Sequence, residues 1–185
     1  MAETTTFSIR EATVADARAI AEVHVEGWAW GYRGLLPDSV IEALDVDERE
    51  RQWIKGFTED WHDGDACVVA EDGTGRVIGF AAAGPAGDEH ITPPPGAGEV
   101  YSIYLRDGAQ GSGVGRALFA RAEEALRANG FGTAVLWVLE DNDRARRFYE
   151  AAGWAWDGTR SDHRFDCANR PIVRYAAPLP ADAIR

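Results

Sequence analysis

A single α/β domain built on a mixed sheet is the fold class that the sequence predicts. The 185 residues are 45% apolar, which is enough to bury one core. Strand-like segments come first along the chain, and strands and helices then alternate, an order typical of a mixed sheet with helices against it. Thr133–Leu139 is nearly all apolar, which predicts a strand buried on both faces of that sheet.

The N-terminal half is predicted to hold three strands and two helical stretches. The first strand is expected at Phe7–Arg10, and Thr13–Asp16 has the spacing of a capping box at a helix start. A second helical stretch is expected over Ser39–Phe57. Ala66–Ala70 and Arg76–Ala83 are predicted as two strands joined by a turn. The first helix is indicated by residues that recur at helical spacing: Ala17, Ile20, Ala21, His24 and Trp28.

The C-terminal half alternates strands with helices. Glu99–Leu105 is predicted as a strand that follows a proline-rich loop at residues 93–96. A helix is predicted over Val114–Asn129, ended by Gly130. The remaining elements are predicted as a helix over Asp143–Ala152 and as strands at Thr133–Leu139, Trp154–Trp156 and Ile172–Ala176.

The acidic composition bears on the class of partner. A net charge of −12 argues against nucleic acid, which needs a basic face, and is compatible with a cationic substrate such as an amine. The sequence has no apolar run long enough to cross a membrane and no basic-then-apolar leader, so a cytoplasmic protein is expected. No metal site is expected, because metal-ligand spacing is absent among Cys67, Cys167, His24, His62, His90 and His163.

The most informative segment is a glycine-rich loop, Gln110–Arg116, between a predicted strand and a predicted helix. Glycines at alternate positions let backbone N–H groups converge without Cβ atoms in the way, and a helix N-terminus favours an anion. The loop is not a P-loop, because Lys55 is the only lysine of the chain. Nor is it a dinucleotide loop, since Arg116 stands where the third glycine is needed. The loop predicts a pyrophosphate site of another kind.

A second pattern begins at Asn142 and ends at Gly153 and Trp154, with Phe148 and Tyr149 on the helix between them. Taken alone, Asn142 is a good N-cap, and the two aromatic residues belong to an apolar helix face that is typical of a core. Positive charge that a phosphate ligand needs is concentrated around the two helix starts, at Arg106, Arg116, Arg144, Arg146 and Arg147. The alternative for most of these arginines individually is an exposed position on an amphipathic helix, which is common.

Together, the two patterns resemble the acyl-CoA-binding signatures of the GCN5-related N-acetyltransferase (GNAT) superfamily, in an uncharacterised bacterial branch. The resemblance rests on Gln-x-x-Gly-x-Gly at Gln110–Gly115 and on the order Asn, Phe-Tyr, Gly-aromatic at Asn142–Trp154. It implies a mostly antiparallel, twisted sheet that splays at the acyl-CoA site. Residues 1–62 would form the substrate side, 66–156 the acyl-CoA-binding core and 157–185 the C-terminal strands of one domain.

The resemblance also implies acetyl-CoA as co-substrate, without a metal. The loop amides would hold the CoA pyrophosphate, and the backbone of residues 103–105 would bind the pantetheine arm and polarise the thioester carbonyl. The residues expected to contact the co-substrate are Ile103, Tyr104, Leu105, Gln110, Gly111, Ser112, Gly113, Val114, Gly115, Arg116, Asn142, Arg144 and Phe148.

Two side chains are hypothesised to be catalytic. Acyl transfer to an amine needs a base for the amine proton and an acid for the departing thiolate. Glu99 corresponds to the base carboxylate of the superfamily's histone acetyltransferases, and its pKa need not be strongly raised if it acts through a water. Tyr149 is the expected acid, because a phenol with a pKa near 10 would match the thiolate. The alternatives are an exposed strand-end glutamate and a core tyrosine.

The acceptor side is predicted in less detail. Trp28, Tyr32 and Tyr101 are expected to line the substrate pocket. The predicted function is acetyl transfer from acetyl-CoA to a primary amine of a small molecule. A protein N-terminus, a lysine side chain or an aminoglycoside stays open as acceptor. A catalytically silent acyl-CoA sensor is the alternative of another class, and a homodimer is one expectation for the oligomeric state.

Overall fold

A seven-stranded sheet forms the centre of the computed structural model, which describes residues 6–87, 89–165 and 168–180. Neighbouring strands are antiparallel, except that the strands Gly98–Leu105 and Thr133–Leu139 are parallel, so the expected mixed and mostly antiparallel sheet is confirmed. Cys167 lies outside the described residues. In the spatial order β1-β2-β3-β4-β5-β7-β6, the strands are β1 (Phe7–Glu11), β2 (Ala66–Asp72), β3 (Val77–Pro85), β4 (Gly98–Leu105), β5 (Thr133–Leu139), β7 (Ala168–Pro178) and β6 (Ala155–Phe165).

Helices flank the sheet because its central strands are apolar on both faces. In β2, Val68 and Ala70 belong to one buried cluster, whereas Cys67 and Val69 belong to another, as the alternation of a strand requires. Helix α4 packs into the first cluster and α1 into the second. The helices are α1 (Ala17–Gly31), α2 (Asp38–Glu42), α3 (Val46–Thr58), α4 (Val114–Ala128) and α5 (Asp143–Ala151).

The sheet opens between β4 and β5. Within the described ranges, their parallel ladder joins Gly98 with Ala134 and Glu99 with Val135 and then stops. The register of β4 against β3 shifts at the same level, because Ala82 pairs with Ser102 and Ala83 with Val100. Tyr101 is therefore the extra residue of a β-bulge, which bends a strand and increases its twist. The bend and the short ladder leave a gap between the two strands.

Three elements differ from the sequence prediction. Strand β7 begins at Ala168, before the predicted start at Ile172. The helical stretch expected over Ser39–Phe57 is two helices, α2 and α3, because the Asp45 carboxylate accepts the Glu48 N–H at 2.7 Å and starts a new helix. Strand β6 extends to Phe165 rather than ending at Trp156. Most of its residues are exposed, as an edge strand paired on one side with β7 allows, so its sequence lacks the apolar pattern of a buried strand.

Arg106 is a structural residue, and its predicted contribution to phosphate binding is wrong. Its side chain is 9% exposed and donates to the Val77 carbonyl at 2.8 Å. It also donates to the Glu22 carboxylate at 2.7 Å and to the Glu26 carboxylate at 2.9 Å, both on α1. The guanidinium thus joins α1 to the ends of β3 and β4 and is not free for a ligand.

We expect Arg106→Met to lower the free energy of unfolding by about 2–3 kcal/mol, because it removes charge-assisted hydrogen bonds at a buried position. Arg121→Met is the control, since Arg121 pairs with Glu124 on the exposed face of α4, where such pairs contribute ~0–1 kcal/mol. Urea unfolding of both variants measures the difference. Equal stabilities would contradict the structural role of Arg106.

Candidate active site

A cavity of about 1010 Å³ lies in the gap between β4 and β5. Its volume is at the upper end of the range of cofactor and small-molecule sites, ~300–1,000 Å³. The walls come from α1, the loop before β4, β4, the glycine loop, β5, α5, β6 and β7. The predicted site residues that line it are Trp28, Tyr32, Glu99, Tyr101, Ile103, Tyr104, Leu105, Gln110, Gly111, Gly113, Gly115, Arg116, Asn142, Arg144, Phe148 and Tyr149.

The glycine loop ends in a helix N-terminus without a side-chain cap. Gly113 is the N-cap residue of α4, and no side chain among the described residues accepts a hydrogen bond from the first N–H groups of this helix. The φ angles of Gly111 and Gly113 are 74° and 90°, in the left-handed region that favours glycine. The backbone bond from the Ala117 N–H to the Gly113 carbonyl starts the helix, which leaves the preceding amides available to an anion.

Ser112 and Val114 do not line the cavity. The Ser112 hydroxyl donates to the Ala109 carbonyl at 2.5 Å, and the Val114 side chain is fully buried in the core. A contact of these two residues with a ligand in the cavity would therefore use the backbone.

Gln110 and Arg144 are joined to each other at the mouth of the loop. The Arg144 guanidinium donates to the Gln110 side-chain oxygen at 2.8 Å and lies 4.3 Å from the ring centroid of Trp30. The Gln110 amide nitrogen is buried and has no hydrogen-bond partner among the described residues. An unsatisfied buried donor favours a ligand acceptor at this point.

The open edge of β4 offers backbone groups to the cavity. The Arg106 N–H donates to the Ile78 carbonyl on β3, so the alternation of an antiparallel strand turns the backbone of Ile103 and Leu105 away from β3 and towards the gap. Consistent with this direction, the Trp30 indole N–H donates to the Leu105 carbonyl at 3.0 Å.

The start of α5 contributes fewer side chains to the cavity than its sequence suggested. The Asn142 side chain accepts the Ala145 N–H at 3.1 Å, so it is the N-cap of α5 while it also lines the cavity. Arg146 donates to the Glu140 carbonyl and to the Tyr175 hydroxyl, which makes it structural. Of the five arginines noted in the sequence, Arg116 and Arg144 line the cavity.

Three tyrosines meet deep in the cavity wall. The hydroxyls of Tyr32 and Tyr104 are 3.1 Å apart, and the Tyr149 ring lies against Phe119 and Phe148. Burial, and then the nearby Tyr32 hydroxyl, raise the pKa of Tyr149 above its usual range. The expectation of an ordinary phenol pKa is therefore wrong. The environment of Tyr149 therefore favours the protonated phenol and makes it a weaker acid than a phenol in water.

Glu99 lies where the β4–β5 ladder ends and faces the cavity. Its carboxylate accepts the Gly87 N–H in a long contact of 3.4 Å. Burial is the main cause that raises the pKa of Glu99 to about 7, and the neighbouring Glu89 adds to the shift. The Gly87 N–H and the Arg174 guanidinium act in the opposite direction. A carboxyl group with such a pKa exchanges a proton near neutral pH.

Several cavity residues were not predicted. They come from α1, from the loop before β4, and from β4, β5, β6 and β7, and they are Trp30, Glu89, His90, Ser102, Trp137, His163, Phe165 and Ile172. Trp30 is one of the aromatic residues that the sequence offers to an acceptor pocket. Glu89 and His90 lie in the segment 84–98, which the sequence allowed as a border of that pocket. For His163 and Phe165 the signal is their alternation along β6, which turns both to one face of a strand. The described residues contain no group of histidine, cysteine and carboxylate side chains arranged to hold a metal ion.

No helix in the described ranges is long and apolar enough to span a bilayer.

Comparison with known sequences gives a family match and curated relatives. Residues 30–154 match the model of the acetyltransferase (GNAT) family. An uncharacterized N-acetyltransferase, YuaI of Bacillus subtilis (strain 168), is 36% identical over 148 residues, 78% of either chain. A mycothiol acetyltransferase of Saccharomonospora viridis is 36% identical over 141 residues, which are 75% of this chain and 42% of that relative.

Comparison with solved structures gives the same fold. A phosphinothricin acetyltransferase of Sinorhizobium meliloti in complex with AcCoA aligns with a TM-score of 0.70 and 24% identity, over 94% of this chain and 89% of that chain. The PaiA N-acetyltransferase of Thermoplasma acidophilum in complex with coenzyme A aligns with a TM-score of 0.67 and 20% identity, over 91% of this chain and 98% of that chain. By its sequence match and its fold, this chain belongs to the GNAT family of acetyltransferases.

Proposed function

We propose that this acetyltransferase transfers the acetyl group of acetyl-CoA to a primary amine of a small molecule. The observation that carries the proposal is one continuous cavity whose wall holds an uncapped helix N-terminus, a buried tyrosine and a glutamate with a pKa of about 7. These are an anion site, a proton donor and a proton acceptor, the groups that aminolysis of a CoA thioester needs.

The residues of the cavity fit a CoA ester. The free amides at the start of α4, with Arg116 and Arg144, match a pyrophosphate, and the unpartnered Gln110 amide offers one more donor. The open edge of β4 matches the amides of a pantetheine arm, which can pair with backbone as a strand does. When bound, acetyl-CoA would supply the activated acetyl group.

The proton-handling roles follow from where each group lies. Glu99 as carboxylate accepts a proton from the acceptor ammonium, directly or through a water, and so produces the neutral amine that attacks the carbonyl carbon. The C–N bond then forms as the C–S bond breaks. Tyr149 donates its hydroxyl proton to the sulfur and regains a proton from the attacking nitrogen or from solvent. The Tyr32 hydroxyl, close to Tyr149, raises the pKa of this phenol and so favours its protonated form before the thiolate departs.

Gly113→Ala tests the anion site. We expect about a tenfold rise in the Kd for coenzyme A, because a Cβ at a φ of 90° costs ~1–2 kcal/mol and turns the first amides of α4. Gly158→Ala is the matched control, since Gly158 has a φ of 89° in β6 and lies outside the cavity. Calorimetry should show the loss for Gly113→Ala alone, and an unchanged Kd would remove these amides from the site.

The activity is tested with acetyl-CoA and a panel that contains small amines, an aminoglycoside, a peptide N-terminus and a lysine peptide. Release of the CoA thiol measures turnover, and mass analysis identifies the acetylated product. Acetylation of the small amines supports the proposal. Preferred acetylation of the aminoglycoside also agrees with a small-molecule amine, whereas preferred acetylation of a peptide contradicts the acceptor class. Coenzyme A binding without any product supports the sensor alternative.

A further inference from the structure

Six aromatic rings form a continuous chain along the cavity. We name this chain the aromatic collar, and each of its six members lines the cavity. Successive ring centroids are 4.8, 6.0, 4.4, 5.1 and 5.1 Å apart in the order Tyr32, Trp28, Phe165, His163, His90, Trp137. Distances of ~4.5–7 Å are those of interacting aromatic pairs, so the rings support one another as one surface.

The collar is assembled from four separate parts of the chain. Trp28 and Tyr32 are four residues apart at the C-terminal end of α1, which places them on one helix face. His163 and Phe165 alternate along β6, Trp137 belongs to β5, and His90 lies in the loop before β4. A surface that brings rings together from distant elements, and leaves them on a cavity, is a built site rather than a local cluster.

The collar is apolar along most of its length and acidic at one end. Burial and the nearby His90 ring lower the pKa of His163, so this ring is uncharged at neutral pH. Phe165 and Trp28 pack towards a buried apolar cluster that includes Leu36 and Ile172. Glu89 and Glu99 line the same cavity, and Glu89 is near enough to both Glu99 and His163 to affect their proton affinities.

We infer that the collar selects an arylalkyl primary amine, with the ammonium at Glu99 and Glu89 and the flat apolar ring against the aromatic side chains. This inference rests on the proposed function and specifies its acceptor. The charge of the cavity matches one ammonium at the acidic end. An aromatic ligand ring buries apolar surface against the collar and gains stacking and edge-to-face contacts with it, and a short aliphatic chain lacks both.

Binding and turnover are measured separately with three amines: 2-phenylethylamine, butylamine and 1,4-diaminobutane. Calorimetry on the protein saturated with coenzyme A gives the Kd of each amine, and acetyl-CoA assays give kcat/KM. We expect 2-phenylethylamine to exceed each of the other two at least about tenfold in both quantities. Equal values for the three amines, or a preference for the diamine, would overturn the collar inference.

The two readouts separate the inference from the proposed function. Preferred binding of 2-phenylethylamine without acetylation of any amine supports the collar and contradicts the amine acetyltransferase. Acetylation without a preference for the aryl amine supports the enzyme and contradicts the collar.

Phe165→Leu tests the collar directly, because it keeps an apolar side chain and removes the ring between Trp28 and His163. We expect the preference for 2-phenylethylamine over butylamine to fall at least about fivefold, with the Kd for coenzyme A unchanged. Trp156→Leu is the matched control on the same strand, since Trp156 is 49% exposed and lies outside the cavity. Trp137→Leu provides a second collar variant if Phe165→Leu unfolds. An unchanged preference in a folded collar variant would reject the inference.

Discussion

Tyr149→Phe is expected to lower kcat by about 10²-fold or more and to leave the Kd for coenzyme A unchanged. Removing one oxygen takes away the proton donor but keeps the ring that packs on Phe119 and Phe148. Steady-state kinetics with an acceptor amine and calorimetry with coenzyme A measure the two quantities. Because burial keeps the Tyr149 pKa above its usual range, the wild-type kcat should show no loss from phenol ionisation up to pH 10.

Tyr175→Phe is the matched control for Tyr149→Phe. The ring centroids of Tyr175 and Tyr149 are 6.2 Å apart. The Tyr175 hydroxyl, however, lies outside the cavity, where it donates to the Glu150 carboxylate at 2.6 Å and accepts from the Arg146 guanidinium. Its removal should lower the Tm and leave kcat within about twofold of wild type, since only hydrogen bonds of the fold are lost. A wild-type kcat for Tyr149→Phe would show that Tyr149 is a core residue and not the acid.

Glu99→Gln is expected to lower kcat/KM at pH 8 by about 10²-fold or more, because an amide cannot accept the amine proton. In the wild type, the base form of Glu99 exists above its pKa of about 7, so kcat/KM should fall tenfold for each pH unit below that value. The ionisation of the free amine is the same for both proteins. The ratio of wild-type to variant kcat/KM between pH 5 and 9 therefore isolates the titration of Glu99.

The cause of the Glu99 shift gives a further test of the same group. Burial and Glu89 raise the pKa of Glu99, while the Gly87 N–H and Arg174 lower it. Glu89→Gln should therefore move the acidic limb of the kcat/KM profile to lower pH.

The raised pKa of Glu99 also predicts how the stability of the fold depends on pH. The folded state favours the neutral carboxyl, so the contribution of Glu99 to stability is present below the pKa of the unfolded chain and is lost as the pH rises through about 7. Glu99→Gln should accordingly have a higher Tm than wild type at pH 8. A ratio of kcat/KM that does not change with pH would exclude Glu99 as the base.

Local patterns carried much of the fold prediction. The buried strand β5 and the helix α4 follow from apolar runs and periodicity, and the predicted bounds of these two elements agree with the structure within about one residue. The prediction of one helical stretch over Ser39–Phe57 was wrong, because the Asp45 side chain caps a new helix and so interrupts the helical pattern. Strand β6 was underestimated because an edge strand depends on pairing with β7 and not on its own apolar content.

The cofactor part of the site was visible in the sequence for a similar reason. A helix N-terminus binds anions through consecutive amides, so an anion site of this kind can be predicted from one short segment that contains Gly111, Gly113 and Gly115. Charge alone was a poorer guide. Arg106 and Arg146 stand in the same segments as Arg116 and Arg144, but their partners Glu22, Glu26 and Tyr175 come from distant parts of the chain.

The sequence by itself determined the family, the glycine loop and the two candidate proton-handling residues, because each of these is encoded in contiguous residues. The tertiary structure alone decided the pKa of Glu99, the structural use of Arg106 and the aromatic collar. Burial and ring contacts depend on which elements meet in space. His90, Trp137 and Phe165 come together only because β4 and β5 separate and β6 folds back beside β7.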